Sequence, residues 1–158
     1  PIPEALLETV IRSRTFNMGY DTLEYMSAAL LDMEWHSISA DQAPEDIQAF
    51  EAQALDKHNV GLSYVPPRYK SAFFAHSMGG GYSAGYYAYM WSEILAADAF
   101  AYMQELGGLK LENGMKYKKE ILSTGNSRPP MESYKAFRGK APTTDALLIR
   151  RGLKTKID

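Results

Sequence analysis

At 158 residues the chain is close to the usual size of one domain and long enough to bury a continuous core. Its 46% apolar and 23% charged residues argue against disorder, no run reaches the roughly 18 apolar residues of a membrane span, and a net charge of −2 leaves no electrostatic footprint for nucleic acid. The absence of cysteine removes disulfides, thiol chemistry and cysteine-ligated metals, which suits the cytoplasm and leaves the periplasm open. Pro1 to Arg14 lacks the basic stretch and apolar block of a signal peptide, and a start at Pro1 suggests processing or a piece cut from something longer.

The first expected helix spans about 3–15, with Pro3-Glu4 suited to its first turn, Leu6, Leu7, Val10 and Ile11 at helical spacing, and Arg12 and Arg14 near its end. A second, about 20–36, carries Leu23, Met26, Ala29 or Leu30, and Met33 on one face. A third covers 44–57, with Glu45 and Asp46 early and Ile47, Phe50 and Ala54 inward. Val65-Pro66-Pro67 forbids a regular helix, so 59–82 reads as an ordered irregular segment, longer than the roughly 12–15 residues beyond which such loops are usually functional.

A long helix should follow over 83–106 and stop at Gly107-Gly108. Helices over 112–123, 130–137 and 143–151 complete the pattern, closed or opened by Gly125-Asn126, Pro129-Pro130, and a cap at Thr143 or Thr144. Strand signals are nearly absent and no repeat is present. The fold class is all-α.

Chemistry concentrates around His76. On the long helix Tyr82, Tyr86, Tyr89 and Glu93 follow the i, i+4, i+7, i+11 spacing and share one face, while Tyr87, Trp91 and Ile94 serve packing on others. Ala84, Gly85 and Ala88 permit close approach of another segment. Gly79, Gly80 and Gly81 are free to take positive φ and present bare backbone to a ligand. Phenols and an imidazole are neutral donors suited to charge developing on a carbonyl oxygen in acyl transfer, where losing one donor costs on the order of 10²–10³ in rate. The cluster lacks a nucleophile and a metal.

A second reading stands beside this one: the stripe is core, His76 an ordinary satisfied histidine, and the glycine triplet a sharp turn. A phosphate loop is excluded, because G-x-x-x-x-G-K-[ST] is absent. His36 and His58 read as surface or packing residues, and Glu24, Asp32 and Glu34 as one helix's polar face. Arg68 is open between bidentate capture of a carboxylate and a structural salt bridge. Arg150, Arg151, Lys154 and Lys156 form a basic tail expected to be solvated.

Five segments occur in an order that carries a resemblance: A-L-L-D-M-E-W-H-S (29–37), V-P-P-R-Y-K-S (65–71), F-A-H-S-M-G-G-G-Y-S-A-G-Y-Y-A-Y-M-W-S-E (74–93), G-N-S (125–127) and R-G-K-A-P (138–142). Across nearly its whole length the chain resembles the C-terminal portion of the peptidyl-dipeptidase branch of the thimet oligopeptidase (M3) family of zinc metallopeptidases. The resemblance implies part of a larger, mostly helical, two-lobed enzyme whose channel admits short peptides and which releases dipeptides from their C-termini. It implies that Tyr89 donates to the oxyanion, that His76 and Tyr82 orient the scissile carbonyl and substrate backbone, and that Tyr86 faces substrate. Gly79 to Gly81 would form a loop that closes on the peptide; the cation that takes the substrate carboxylate is not placed by the resemblance, and Arg68 is a candidate on its position alone.

The family binds zinc through H-E-x-x-H and a downstream glutamate. Neither the motif nor any histidine pair at ligand spacing is present among His36, His58 and His76. The expectation is therefore an irregular multi-helix fragment that binds no metal itself and is inactive alone. Its partners are short peptides and the remainder of the parent polypeptide carrying the zinc; nucleic acid and membrane are not among them. The alternatives are a helical peptide-binding module without turnover, part of an oligopeptidase A-type endopeptidase, or a purely structural domain. A fragment of this kind is also expected to expose an apolar face.

Overall fold

A computed structural model describes residues 2–155, and every regular element in that range is helical. The helices are α1 (Glu4–Ser13), α2 (Met18–Trp35), α3 (Ile47–Lys57), α4 (Ala75–Met78), α5 (Ala88–Glu105), α6 (Leu111–Tyr117), α7 (Pro130–Arg138) and α8 (Asp145–Arg150). The chain is thus an irregular all-α assembly. It divides into two compact units, one ending at Met90 and one beginning at Trp91. Two sequence features, the start at Pro1 and the tail lysine Lys156, lie outside the described residues.

In the first unit, α1 starts where the Pro3 carbonyl accepts the amides of Leu6 and Leu7, each at 3.0 Å. Its Leu6, Leu7, Val10 and Ile11 are all exposed. Asn17 enters α2 in the left-handed region, a conformation that asparagine tolerates. The expected face of α2 is inside except at Met33: Ala29 is buried, and Leu23, Met26 and Leu30 pack half-buried against the cores. Met33 is exposed, and burial extends to Tyr25, Ala28, Leu31 and Asp32, because the helix packs on two sides through small residues.

Tyr25, Ala28 and Ala29 join Phe74 and Tyr86 in one cluster, and Leu31 joins Ala54, Leu55 and Val60 of the α3 region in another. The start of α3 is fixed by Asp46, whose carboxylate accepts the amides of Gln48 and Ala49 at 2.9 and 3.0 Å. Ile47 was expected inward but lies outside that face and is exposed.

The irregular segment after α3 is tied down by side chains. Glu51 accepts both the amide and the hydroxyl of Ser71 at 2.7 and 2.8 Å, and the Trp35 indole donates to the same hydroxyl at 2.8 Å. The long helix then begins at Ala88 instead of 83. Between Tyr82 and Ala88 the chain makes two tight turns, Gly85 N–H to Tyr82 O at 3.0 Å and Ala88 N–H to Gly85 O at 3.1 Å. Ala84 between them sits at φ 54°, which no α-helix accepts.

In the second unit, α5 stops where Gly107 and Gly108 take φ of 90° and 92°, and the Gly108 amide returns to Met103 O at 2.8 Å. The helix expected over 112–123 is α6 followed by a π-turn, Lys118–Leu122, closed by Ser123 N–H to Lys118 O at 2.8 Å. Phe137 is the centre of packing here, with Ala99 and Tyr134 buried beside it and Tyr102, Tyr117 and Ile121 around them. The basic tail is paired, not merely solvated. Arg150 and Arg151 both reach Glu93, at 2.8 and 2.5 Å, and Lys154 reaches Asp145 at 2.7 Å. Among the described residues no helix is long and apolar enough to cross a membrane.

Candidate active site

Two short elements bring the site together. The single turn of α4 carries His76, and the double turn after the glycines carries Tyr82 and Tyr86 before α5 presents Tyr89. Since α5 starts at Ala88, Tyr82 and Tyr86 do not share a helix face with Tyr89, as the periodicity required. His76 gathers them instead. Its ring lies 5.6 Å from that of Tyr82, 5.4 Å from Tyr86 and 5.7 Å from Tyr89, with Tyr89 Oη 3.3 Å from His76 Nε2.

The three phenols have different surroundings. Tyr82 and Tyr89 are 69% and 57% exposed, whereas Tyr86 is only 5% exposed. Among the described residues the Tyr82 hydroxyl has no hydrogen-bond partner. Tyr86 stacks on Tyr25 at 5.1 Å and meets Phe74 edge-on at 5.0 Å. Burial pushes its phenol up, and a hydrogen bond from Arg68 pulls partly against that shift. The Tyr25 hydroxyl donates to the Tyr86 carbonyl and accepts the Met90 amide at 3.2 Å, so it ties the turn to the first residues of α5. Tyr86, whose ring lies 5.4 Å from His76 and 5.6 Å from Tyr89, is therefore a floor under that pair.

Asp32 holds the turn from below. It is fully buried, and its carboxylate accepts the Ser77 hydroxyl, the Ala84 amide at 3.0 Å and the Tyr86 amide at 2.9 Å. His36 Nδ1 lies 2.9 Å from its Oδ1. Reading Glu24, Asp32 and Glu34 as one polar face is thus corrected. Glu24 pairs with Arg68 at 3.1 Å, Glu34 with Lys57 and His58 at 2.9 and 2.7 Å, and Asp32 faces inward. The Lys57 and His58 bonds hold the Glu34 carboxyl below its usual range. Sequence reading put Asp32 on a solvated face and missed Ser77; the available signal was a lone acid inside the apolar run A-A-L-L-D-M.

The glycines act differently from expectation. None of Gly79, Gly80 and Gly81 takes positive φ; the left-handed residue is Ala84. Gly79 is needed for space, since a Cβ there would lie 2.8 Å from the Ala75 carbonyl oxygen, while Gly80 and Gly81 face open surroundings. Of the two readings of Arg68, the structure shows the ion pair with Glu24. His36 and His58 are engaged with carboxylates, and among the described residues no group of three or more His, Cys, Asp or Glu side chains is placed to hold a metal ion.

The arrangement offers two exposed phenols and a half-buried imidazole around one point, on a rigid apolar floor. It can donate hydrogen bonds to an oxygen that gains negative charge.

Comparison with known proteins adds an independent finding. Residues 1–153 match the profile of Peptidase family M3. The chain is 45% identical over 152 residues to the dipeptidyl carboxypeptidase of Escherichia coli (strain K12), covering 96% of this chain and 22% of that protein. It is 35% identical over 157 residues to oligopeptidase A of the same strain, covering 98% and 22%. With the organellar oligopeptidase A of Arabidopsis thaliana it shares 33% over 159 residues, covering 96% and 20%. The chain spans about a fifth of the length of these curated relatives.

Proposed function

The chain belongs to Peptidase family M3, and on that premise we propose that it supplies the transition-state and substrate-binding groups of a zinc peptidase that releases dipeptides from the C-termini of short peptides. The observation that carries this reading is the exposed Tyr89 hydroxyl 3.3 Å from His76 Nε2, above a buried aromatic floor. Attack on a peptide carbonyl turns its oxygen from a weak acceptor into an oxyanion. A fixed neutral donor gains more from the oxyanion than from the ground-state carbonyl, and that difference is what accelerates the reaction.

In this reading Tyr89 donates to the oxyanion, with His76 setting the direction of its hydroxyl. Tyr82 and the imidazole orient the scissile carbonyl and the substrate backbone. Tyr86 works from beneath, by fixing His76. Gly80 and Gly81 form the part of the loop free to close over the peptide, and Gly79 anchors it. Arg68 enters through Tyr86 more than through substrate, because Glu24 already occupies two of its nitrogens.

Zinc, on which the family depends, finds no fit among the described residues. We assign the metal and the attacking group to the remainder of the whole peptidase, which we take to be a partner of this segment alongside the peptide substrate.

The test is Tyr89→Phe in the intact peptidase, followed with short peptides. kcat should fall by about 10²–10³ while KM stays within about threefold, the pattern of an interaction made in the transition state. A kcat within twofold of the parent sinks the assignment. Oligopeptidase A-type endopeptidase activity is a second reading, favoured by the 35% identity above. Mass spectrometry of the products separates the two: serial loss of C-terminal dipeptides supports the first, and internal cleavage of C-terminally amidated peptides supports the second.

A further inference from the structure

A buried carboxylate is costly unless its acceptor sites are filled, and a leucine would fill the same volume of an apolar helix face without that cost. Asp32 stands in such a place, between Leu31 and the core around Tyr25; apart from His36 Nδ1, 2.9 Å from its Oδ1 at the end of the same helix, its partners all come from one loop. One oxygen takes the Ser77 hydroxyl and the Ala84 amide, and the other takes the Tyr86 amide. Ser77 precedes the three glycines and Ala84 follows them. The carboxylate therefore pins both feet of the loop to α2, and Ser83 adds a strap by donating to the Ser77 carbonyl at 2.9 Å. Between the pinned feet, Gly80 and Gly81 have open space.

We infer that Asp32 is a positioning residue for the His76–Tyr89 pair, closing the base of the glycine loop through Ser77, Ala84 and Tyr86 so that only the loop's tip moves when a peptide binds. His76 is adjacent in sequence to Ser77, and Tyr89 follows from the Tyr86 turn. The two ends of the 3.3 Å contact are thus set by opposite feet of one clamp. The Ala84 left-handed turn has the same origin: it aims two amides, at Ala84 and Tyr86, toward one carboxylate. This inference rests on the reading that Tyr89 and His76 act on substrate, and Asp32 itself touches neither substrate nor reacting atoms.

The experiment is a double-mutant cycle in the intact peptidase. Asp32→Asn keeps the size but turns one acceptor into a donor facing an amide, and Ser77→Ala removes a single arm. Displacing a catalytic group by about 1 Å costs on the order of 10²-fold, so Asp32→Asn should lower kcat by about 30–100-fold and Ser77→Ala by about 5–20-fold, each with KM within about threefold. On a Tyr89→Phe background both losses should shrink to about twofold or less, because the donor they position is gone.

Equal fold-losses in both backgrounds would show a general structural effect and overturn the inference. If Asp32→Asn gives no soluble enzyme, the Ser77→Ala cycle decides by the same criterion. Should Tyr89→Phe cost its full factor while Ser77→Ala and Asp32→Asn leave kcat within twofold, only the positioning role fails. Should Tyr89→Phe itself leave kcat unchanged, the reading beneath fails, and this inference with it.

Discussion

Two tyrosine-rich clusters, each organised by a buried aspartate with an arginine nearby, are put to opposite uses. In the second unit, Asp98 accepts the Tyr134 hydroxyl at 2.5 Å and the Arg138 Nε at 3.1 Å. Arg138 also lies 4.6 Å over the Tyr102 ring, and the Tyr102 hydroxyl accepts Lys116 at 3.0 Å. Side chain satisfies side chain there, and the Tyr134 hydroxyl is spent on the buried acid. In the first unit, Asp32 accepts backbone amides and one serine, with His36 beside it and no phenol, so Tyr82 and Tyr89 keep their hydroxyls at the surface while Tyr25 and Tyr86 are buried beneath. The same residue types make a closed network or an open donor set, depending on whether the acid bonds to the phenols or to the chain that carries them.

The comparison breaks first at Phe137, which is 1% exposed at the centre of the closed cluster. Phe137→Ala should cost about 3–5 kcal/mol of stability in denaturant unfolding, yet leave kcat of the folded enzyme near the parent value. Tyr89→Phe should do the reverse. Its loss of about 10²–10³ in kcat should come with less than about 0.5 kcal/mol in stability, since the hydroxyl lies at an exposed position. If both substitutions moved stability and rate together, the distinction between the clusters would collapse.

Tyr134→Phe sharpens the contrast. Burial, then the Asp98 hydrogen bond, raises the Tyr134 phenol above its ordinary value of 10.0. A phenol raised in the folded state contributes stability that is complete below about pH 10 and lost as pH climbs toward the folded value. Removing the hydroxyl should cost about 1.5–3 kcal/mol near pH 8 and make the alkaline decline shallower, measured by thermal midpoints from pH 8 to 11. The smallest effect separates two neighbours. Gly79→Ala should destabilise by about 1–3 kcal/mol because of the Ala75 carbonyl, while Gly80→Ala should stay within about 0.5 kcal/mol.

Local signals were readable wherever the chain answers to its neighbours in sequence. Gly107-Gly108 ended α5, Pro129-Pro130 opened α7, and helical spacing gave an all-α fold. The H-S-M-G-G-G-Y run pointed to the family, which the profile match shows. Periodicity failed between Tyr82 and Ala88, where the amides of Ala84 and Tyr86 are claimed by a carboxylate 52 and 54 residues earlier. No local window contains that competitor. The burial of Asp32 was hidden for the same reason, since an acid four residues before His36 looks like a solvated face until the loop it binds is known. Glycine composition misled in a narrower way: the strained turn fell on Ala84 because a distant acceptor stabilises it there.

The Tyr25 hydroxyl, between the Tyr86 carbonyl and the Met90 amide, has a consequence for the order in which the molecule assembles. A helix end is usually capped by a residue next to it, but Met90 is served by a phenol 65 residues upstream. Helical turns form from local contacts within microseconds, whereas contacts across so long a separation must first meet the entropy of loop closure. Helicity on refolding should therefore return before Tyr89 is placed, and under the proposed function gentle denaturation of the intact peptidase should abolish turnover while most helices still protect their amides from exchange. The corner that carries His76 and Tyr89 should be the last part of the fold to ripen and the first to be lost.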